Sequence, residues 1–276
     1  MNKKDFKAFA KTEKKATKKS PPEQKPRLFV LDFKGDIRAS AVTDLREEIT
    51  ALLSVAKPGD ATLVKLESGG GLVTSYGLAS SQLERLKSAN MNLTVCVDKV
   101  AASGGYMMAC VADHICAAPF AVLGSIGVVA QVPNFNKVLK KHDVDFREIT
   151  AGEFKRTVTM FGEITEPGLA KFKDQLEETH VLFKNFVSKH RPALDISKVA
   201  TGEHWYGTVA LELGLCDEIT TSDDYLLKRL ETHELISIKN HGRKKLAERL
   251  SESMAVAARS LMIKLWTDAE ERRFGS

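Results

Sequence analysis

Leu93-Thr-Val-Cys-Val97 is a short apolar run, and two polar residues later it leads into Val100-Ala-Ala-Ser-Gly-Gly-Tyr-Met-Met-Ala-Cys110. The first run reads as a buried strand, being short, apolar and rich in β-branched residues. The second opens a helix of small and apolar residues over 104–112. Ser103 therefore sits at a strand-to-helix turn with two glycines behind it. Those glycines let another backbone approach closely. The helix start supplies unpaired N–H groups and positive potential to a developing oxyanion. On these residues alone, Ser103 reads equally well as a nucleophile and as a helix N-cap.

Leu66-Glu-Ser-Gly-Gly-Gly-Leu-Val73 repeats the arrangement between a strand pattern over 61–66 and a helical pattern over 75–88. Three glycines in a row cost much backbone entropy, and they suit a backbone that presents N–H groups to a ligand at close range. The alternative is a tight strand–helix turn with no other role. Neither G-x-x-x-x-G-K-[ST] nor G-x-G-x-x-G is present, which speaks against a phosphate cradle.

Outward from these two turns, strands and helices alternate. A strand covers 28–33, a helix 42–55, and Lys57-Pro-Gly59 makes the stop. Short strands are expected near 114–118, 126–130 and 146–150. Helices are expected over 134–141, 167–190 and 206–213. Such alternation predicts an α/β fold with right-handed crossovers and a largely parallel sheet. From 243 to 266 a long amphipathic helix carries Leu246, Leu250, Met254, Leu261 and Leu265 on one stripe and trails the domain. The chain divides into a basic disordered tether (1–27), one domain (28–240), and the C-terminal helix and tail (241–276).

Charge is uneven. Net charge is +5 over 276 residues, but residues 1–27 carry ten Lys/Arg against three Asp/Glu. The rest sums to −2, so a nucleic-acid footprint on the fold is not expected. No apolar core of a secretory signal follows the basic start. The uncharged run 115–136 contains Pro119, Gly124 and Pro133 and reads as buried strand–turn–strand, not as a membrane span. Cys96, Cys110, Cys116 and Cys216 show no C-x-x-C pairing and read as free buried thiols.

A nucleophilic serine needs a base. His114, preceded by Asp113, would suit a Ser-His-Asp triad but also looks like the first residue of a strand. His204 lies in a polar-aromatic turn. Lys155, in Ala151-Gly-Glu-Phe-Lys-Arg-Thr157, would serve only if its amine were neutral, whereas a surface lysine is the default.

Four ordered segments, Ser68-Gly-Gly-Gly71, Ala101-Ala-Ser-Gly-Gly-Tyr106, Leu123-Gly-Ser-Ile-Gly-Val128 and Ala151–Thr157, together resemble the signal peptide peptidase A family of serine proteases, from about Leu28 to Ile219. The resemblance implies a ClpP/crotonase-like α/β fold and a Ser/Lys dyad of Ser103 and Lys155. It implies an oxyanion hole from Gly70 and Gly104, with Ser125 orienting the lysine, and no cofactor or metal. It further implies peptide or signal-peptide substrates, a homo-oligomer, and a protease domain on the periplasmic side of a bacterial inner membrane. Family members carry an N-terminal membrane anchor and a basic tether, and Met1 begins inside what resembles that tether. One departure is Gly69, where the family turn usually has proline. Two alternatives remain: a crotonase-like acyl-CoA enzyme using Glu67 or Glu153, and an inactive peptide-binding scaffold.

Overall fold

A computed structural model of the chain describes residues 25–240. Most of the basic tether and the whole of the helix expected over 243–266 lie outside the described residues. Strand β1 (Arg27–Gly35) buries Leu28, Phe29, Leu31 and Phe33 almost completely. Burial of consecutive residues means that both faces are covered, as in a parallel sheet with helices on each side. β1 pairs in parallel with β2 (Ala61–Ser68) from Leu28↔Ala61 to Gly35↔Ser68.

On the other edge of β2 the chain makes two strands where one was expected. β3 (Asn92–Val97) pairs with residues 61–65, and β4 (Val100–Ala102) meets β2 at Ser68↔Ala101. The interruption falls at Asp98-Lys99. The next strand is broken in the same way, into β5 (His114–Ala117) beside β3 and β6 (Val122–Gly124) beside β4. The sheet thus has a lower and an upper tier. β7 (His204–Tyr206) closes the upper tier antiparallel to β6, while β8 (Glu218–Ile219) extends the lower tier beside β5. β9 (Glu234–Ser237) runs parallel to β1 at the far edge.

Helices α1 (Val42–Val55), α2 (Val73–Ser88) and α3 (Gly104–Ala109) contribute Leu45, Ile49, Leu83, Tyr106 and Met108 to the main core. Each such fully buried side chain contributes about 1.5–3 kcal/mol of transfer free energy. After the six-residue α4 (Asn136–Lys141) comes α5 (Glu166–His190). Thr165 Oγ1 caps α5 by accepting from Gly168 N, and Pro167 sits in its first turn, where its missing N–H costs nothing. α5 docks through Phe183 and Val187. α6 (Ile196–Val199), α7 (Gly207–Glu212) and α8 (Ser222–Arg229) are the remaining helices among the described residues. A smaller apolar cluster of Leu28, Leu63, Cys96, Cys116 and Tyr225 seats α8 on the sheet.

Several expectations are corrected. Residues 146–150 form no strand: Ile149 is 94% exposed, and no neighbouring strand lies there to pair with. The strand expected at 126–130 lies at 122–124 and ends where Gly124 (φ +96°) and Ser125 (φ +51°) turn the chain. Residues 129–135 are exposed, not buried. The helix after Ser103 stops at Ala109.

Candidate active site

Ser103 leaves β4 in a backbone conformation that non-glycine residues rarely adopt, with φ +53° and ψ −119°. Such a conformation costs on the order of 1–3 kcal/mol and persists only where its surroundings enforce it. Here β4 is clamped between β2 and β6, and Ser103 N donates to Gly124 O at 2.8 Å. A Cβ on Gly104 would lie 2.4 Å from the Tyr76 ring, and one on Gly105 would lie 2.4 Å from Ser68 O. The two glycines therefore let the turn sit down on β2 and α2. The Ser103 side chain makes no capping hydrogen bond to α3. That observation removes the N-cap reading left open by the sequence.

The glycine turn of residues 69–71 lies against this serine. Gly70 has φ +87°, and a Cβ there would be 2.7 Å from Gly104 N and 2.8 Å from both Ala102 O and Ser103 Cβ. The Gly70 and Gly104 peptides are thus immediate neighbours at the nucleophile. Gly104 N–H stands at the head of α3, where no preceding helical carbonyl can accept it. Gly70 N–H donates to Ser68 Oγ at 3.1 Å. Ser68 Oγ also bonds Tyr76 Oη at 2.6 Å, and Tyr76 Oη donates to Asp36 O at 2.7 Å. With Tyr76 committed as donor to the carbonyl, the proton order runs Gly70 N–H to Ser68, Ser68 to Tyr76, Tyr76 to Asp36. Burial pushes the Tyr76 phenol up, so it stays a donor.

Two cavities meet at Ser103. The larger, about 630 Å³, is lined by Gly69, Gly70, Ser103, Ser125, His180 and Thr201, among others. The smaller, about 80 Å³, is walled by Val73, Met107, Val128, Val129 and Phe183. Ser125 is half-buried, with its N–H donating to Glu203 O at 2.6 Å. Ser103, Gly70, Gly104 and Ser125 are thus brought together. Lys155 is not: it is exposed, its backbone N–H donates to Gly152 O at 3.2 Å, and it lines neither cavity.

Of the histidines weighed, His114 bonds Glu218 through Nε2 at 3.2 Å, and His204 is exposed on β7; neither lines the Ser103 cavities. His180 does line the larger one, with Nε2 3.3 Å from Ile126 O. The sequence alone does not single it out as a base. Its position on α5, four residues after Leu176 and three before Phe183, is the available signal, since that spacing shares a helix face. Glu67, the carboxylate of the acyl-CoA alternative, is paired with Lys34 and Lys99 at 3.3 Å each. It lines a separate charged recess of about 350 Å³ together with Asp32, Lys65 and Asp98. Glu153 is exposed.

A strained serine between two glycine turns on a two-tier, largely parallel sheet defines a class, and comparison with known proteins gives the same one. The chain belongs to peptidase family S49, whose pattern matches residues 85–236, with the family's N-terminal pattern matching residues 1–83. It is a SohB-like serine protease of that family. Probable protease SohB of Haemophilus influenzae is 58% identical over 236 residues, covering 86% of this chain and 67% of that protein. Probable protease SohB of Buchnera aphidicola subsp. Acyrthosiphon pisum is 54% identical over 242 residues, covering 88% of this chain and 72% of that protein. Among solved structures, the 1510-N membrane-bound stomatin-specific protease, a mutant form in complex with a substrate peptide, matches with a TM-score of 0.51 at 13% identity. It covers 83% of this chain and 99% of that one. At that identity the likeness shows the shared fold.

Proposed function

We propose that this protease is an endopeptidase in which Ser103 Oγ attacks a peptide carbonyl while the neutral amine of Lys155 takes its proton. Lysine then protonates the leaving amine and later activates the water that deacylates the enzyme. Gly70 and Gly104 N–H groups hold the oxyanion, with Gly70 exchanging its long bond to Ser68 for the developing charge. Each such donor is worth about 10²–10³ in rate. The observation that carries this reading is Ser103 itself, held at φ +53° and uncapped beside the two glycine peptides.

Lys155 lies on the exposed excursion between Gly127 and Thr165, so catalysis requires that excursion to bring it to Ser103. The smaller cavity suits a small apolar side chain at the cleaved position, and the larger one suits an extended peptide. The family resemblance supports membrane-derived or signal-peptide substrates, a homo-oligomer, and anchorage at the inner membrane with the protease domain in the periplasm. Among the described residues, no helix is long and apolar enough to cross a membrane.

His180 gives a second reading, because it already lines the cavity of Ser103. Labelling with a fluorophosphonate, with Ser103→Ala as control, first tests whether Ser103 is a nucleophile at all; an unlabelled wild type would leave only a peptide-binding scaffold. Lys155→Arg, which cannot deprotonate, should then abolish hydrolysis, and His180→Ala should retain it. The reverse pattern makes histidine the base.

A further inference from the structure

The lower tier of the sheet brings together residues that the sequence keeps well apart. Cys96 on β3 pairs with Cys116 on β5, and Cys116 pairs with Glu218 on β8. Paired positions in a ladder share a face, and so does His114, two residues before Cys116 on the same strand. This is the face covered by α8, where Cys96 and Cys116 are buried against Tyr225. A ring nitrogen of His114, Cys116 Sγ and a carboxylate oxygen of Glu218 all lie within 4.8 Å of one another. Cys96, the ladder partner of Cys116, is buried on the same face beside it.

These are metal-ligand types at near-ligating separation. A tetrahedral site with bonds of about 2.0–2.3 Å has edges of about 3.3–3.8 Å, so ligand atoms 4.8 Å apart have to close by about 1–1.5 Å. His114 Nε2 already contacts Glu218 Oε2 at 3.2 Å, while Lys228 occupies the other oxygen, Oε1, also at 3.2 Å. Lys228 therefore holds the carboxylate in place without taking the oxygen that faces the histidine. The side chains of His114 and Glu218 are 35% and 34% exposed, which leaves an entry route from solvent. Two thiols, an imidazole and one carboxylate form a set that soft and borderline ions favour over Mg²⁺ or Ca²⁺.

We propose that His114, Cys116 and Glu218, with Cys96 as fourth ligand, bind one thiophilic divalent ion of the Zn²⁺ class. The ion ties β3, β5 and β8 together. It serves stability, since none of the four residues lines a cavity at Ser103. Binding releases the thiol protons to solvent, so affinity rises with pH.

The test uses the full chain, chelator-stripped and kept reduced with a phosphine, titrated with Zn²⁺ and separately with Co²⁺. One ion per chain by native mass spectrometry, cobalt–thiolate charge-transfer absorption and a higher melting temperature with Zn²⁺ are expected. His114→Gln should weaken binding by at least about tenfold, and Cys116→Ser should cut the charge-transfer band to the intensity of the one thiolate that Cys96 still supplies. Because Cys116 is buried and its variant can fail to fold, the partly exposed His114 decides the matter in that case. Substoichiometric binding, absence of thiolate absorption, or an affinity unchanged in His114→Gln would overturn the site.

Discussion

Gly69 and Gly70 are adjacent, yet the structure assigns them opposite tolerances. A Cβ on Gly69 would meet nothing within 4 Å, whereas one on Gly70 would strike the backbone of Gly104 and Ala102 at a positive φ. Gly69→Ala should therefore raise stability by about 0.4–1 kcal/mol through the unfolded chain, with hydrolysis retained. Gly70→Ala should destroy hydrolysis. Urea denaturation and peptide turnover on the two variants check the pair, and a Gly70→Ala protein with normal turnover would remove Gly70 from the oxyanion hole. Tyr76 supports the same turn from below. Tyr76→Phe leaves Ser68 Oγ and Asp36 O each one buried partner short, at about 1–3 kcal/mol. If the relay positions Gly70, kcat should fall with KM little changed; a loss of stability alone would mean that Tyr76 only packs.

At the scale of elements, the C-terminus of α5 is tied to the strand edge by one ion pair. Arg191 Nη1 and Nη2 donate to Asp217 Oδ2 and Oδ1 at 2.8 and 2.7 Å, and Ile115 N also donates to Oδ2. Burial alone would raise the Asp217 carboxyl, but the guanidinium and the amide outweigh it and hold the group below the usual carboxylate range. A carboxyl whose folded pKa is depressed contributes stability that is complete above its unfolded value, near pH 4, and is lost as pH falls below it. Asp217→Asn should cost about 1–3 kcal/mol at pH 7, and the difference from wild type should shrink as denaturation is measured at progressively lower pH. A pH-independent difference would assign the cost to packing. The excursion between Gly127 and Thr165 is held otherwise: Asn134 Nδ2 donates to Thr159 O and Gly162 O, and Asn136 Nδ2 donates to Phe161 O. Those bonds join its two limbs to each other. The expected strand at 146–150 fails because that segment has hydrophobic residues without a sheet edge to receive them.

For the molecule as a whole, the same excursion matters through what it leaves in water. Val129 is 81% exposed and Ile149 94%, and Val138, Phe146 and Phe154 are also exposed. Apolar surface of that extent on one segment is characteristic of an interface, which supports the proposed homo-oligomer. Val138→Glu with Ile149→Glu, neither of which lines a cavity at Ser103, should shift the particle toward monomer in light scattering, while fluorophosphonate labelling of Ser103 reports whether the site survives. The amphipathic stripe of 243–266 makes a competing claim on assembly, and truncation after Asn240 separates the two. If truncation alone reduces the particle mass, the segment after Asn240 assembles the protein and the excursion does not.

What the sequence determined was local. Apolar runs bounded by glycine turns marked β1, β2, β3 and the helices between them, because periodicity and turn chemistry are written in neighbouring residues. The Ser103 turn and the Gly69-Gly70-Gly71 turn were legible for the same reason. Strands of two to four residues such as β4, β8 and β9 were not, since so short a segment is a strand only by virtue of the partner beside it. Tertiary structure alone decided that Ser103 is uncapped and strained, that His180 joins its cavity and that Lys155 stands outside it. It also decided that Cys96, Cys116, His114 and Glu218 share one patch of sheet despite showing no spacing motif. These are long-range facts, fixed by strand register and by which face each residue presents. No window along the chain contains them.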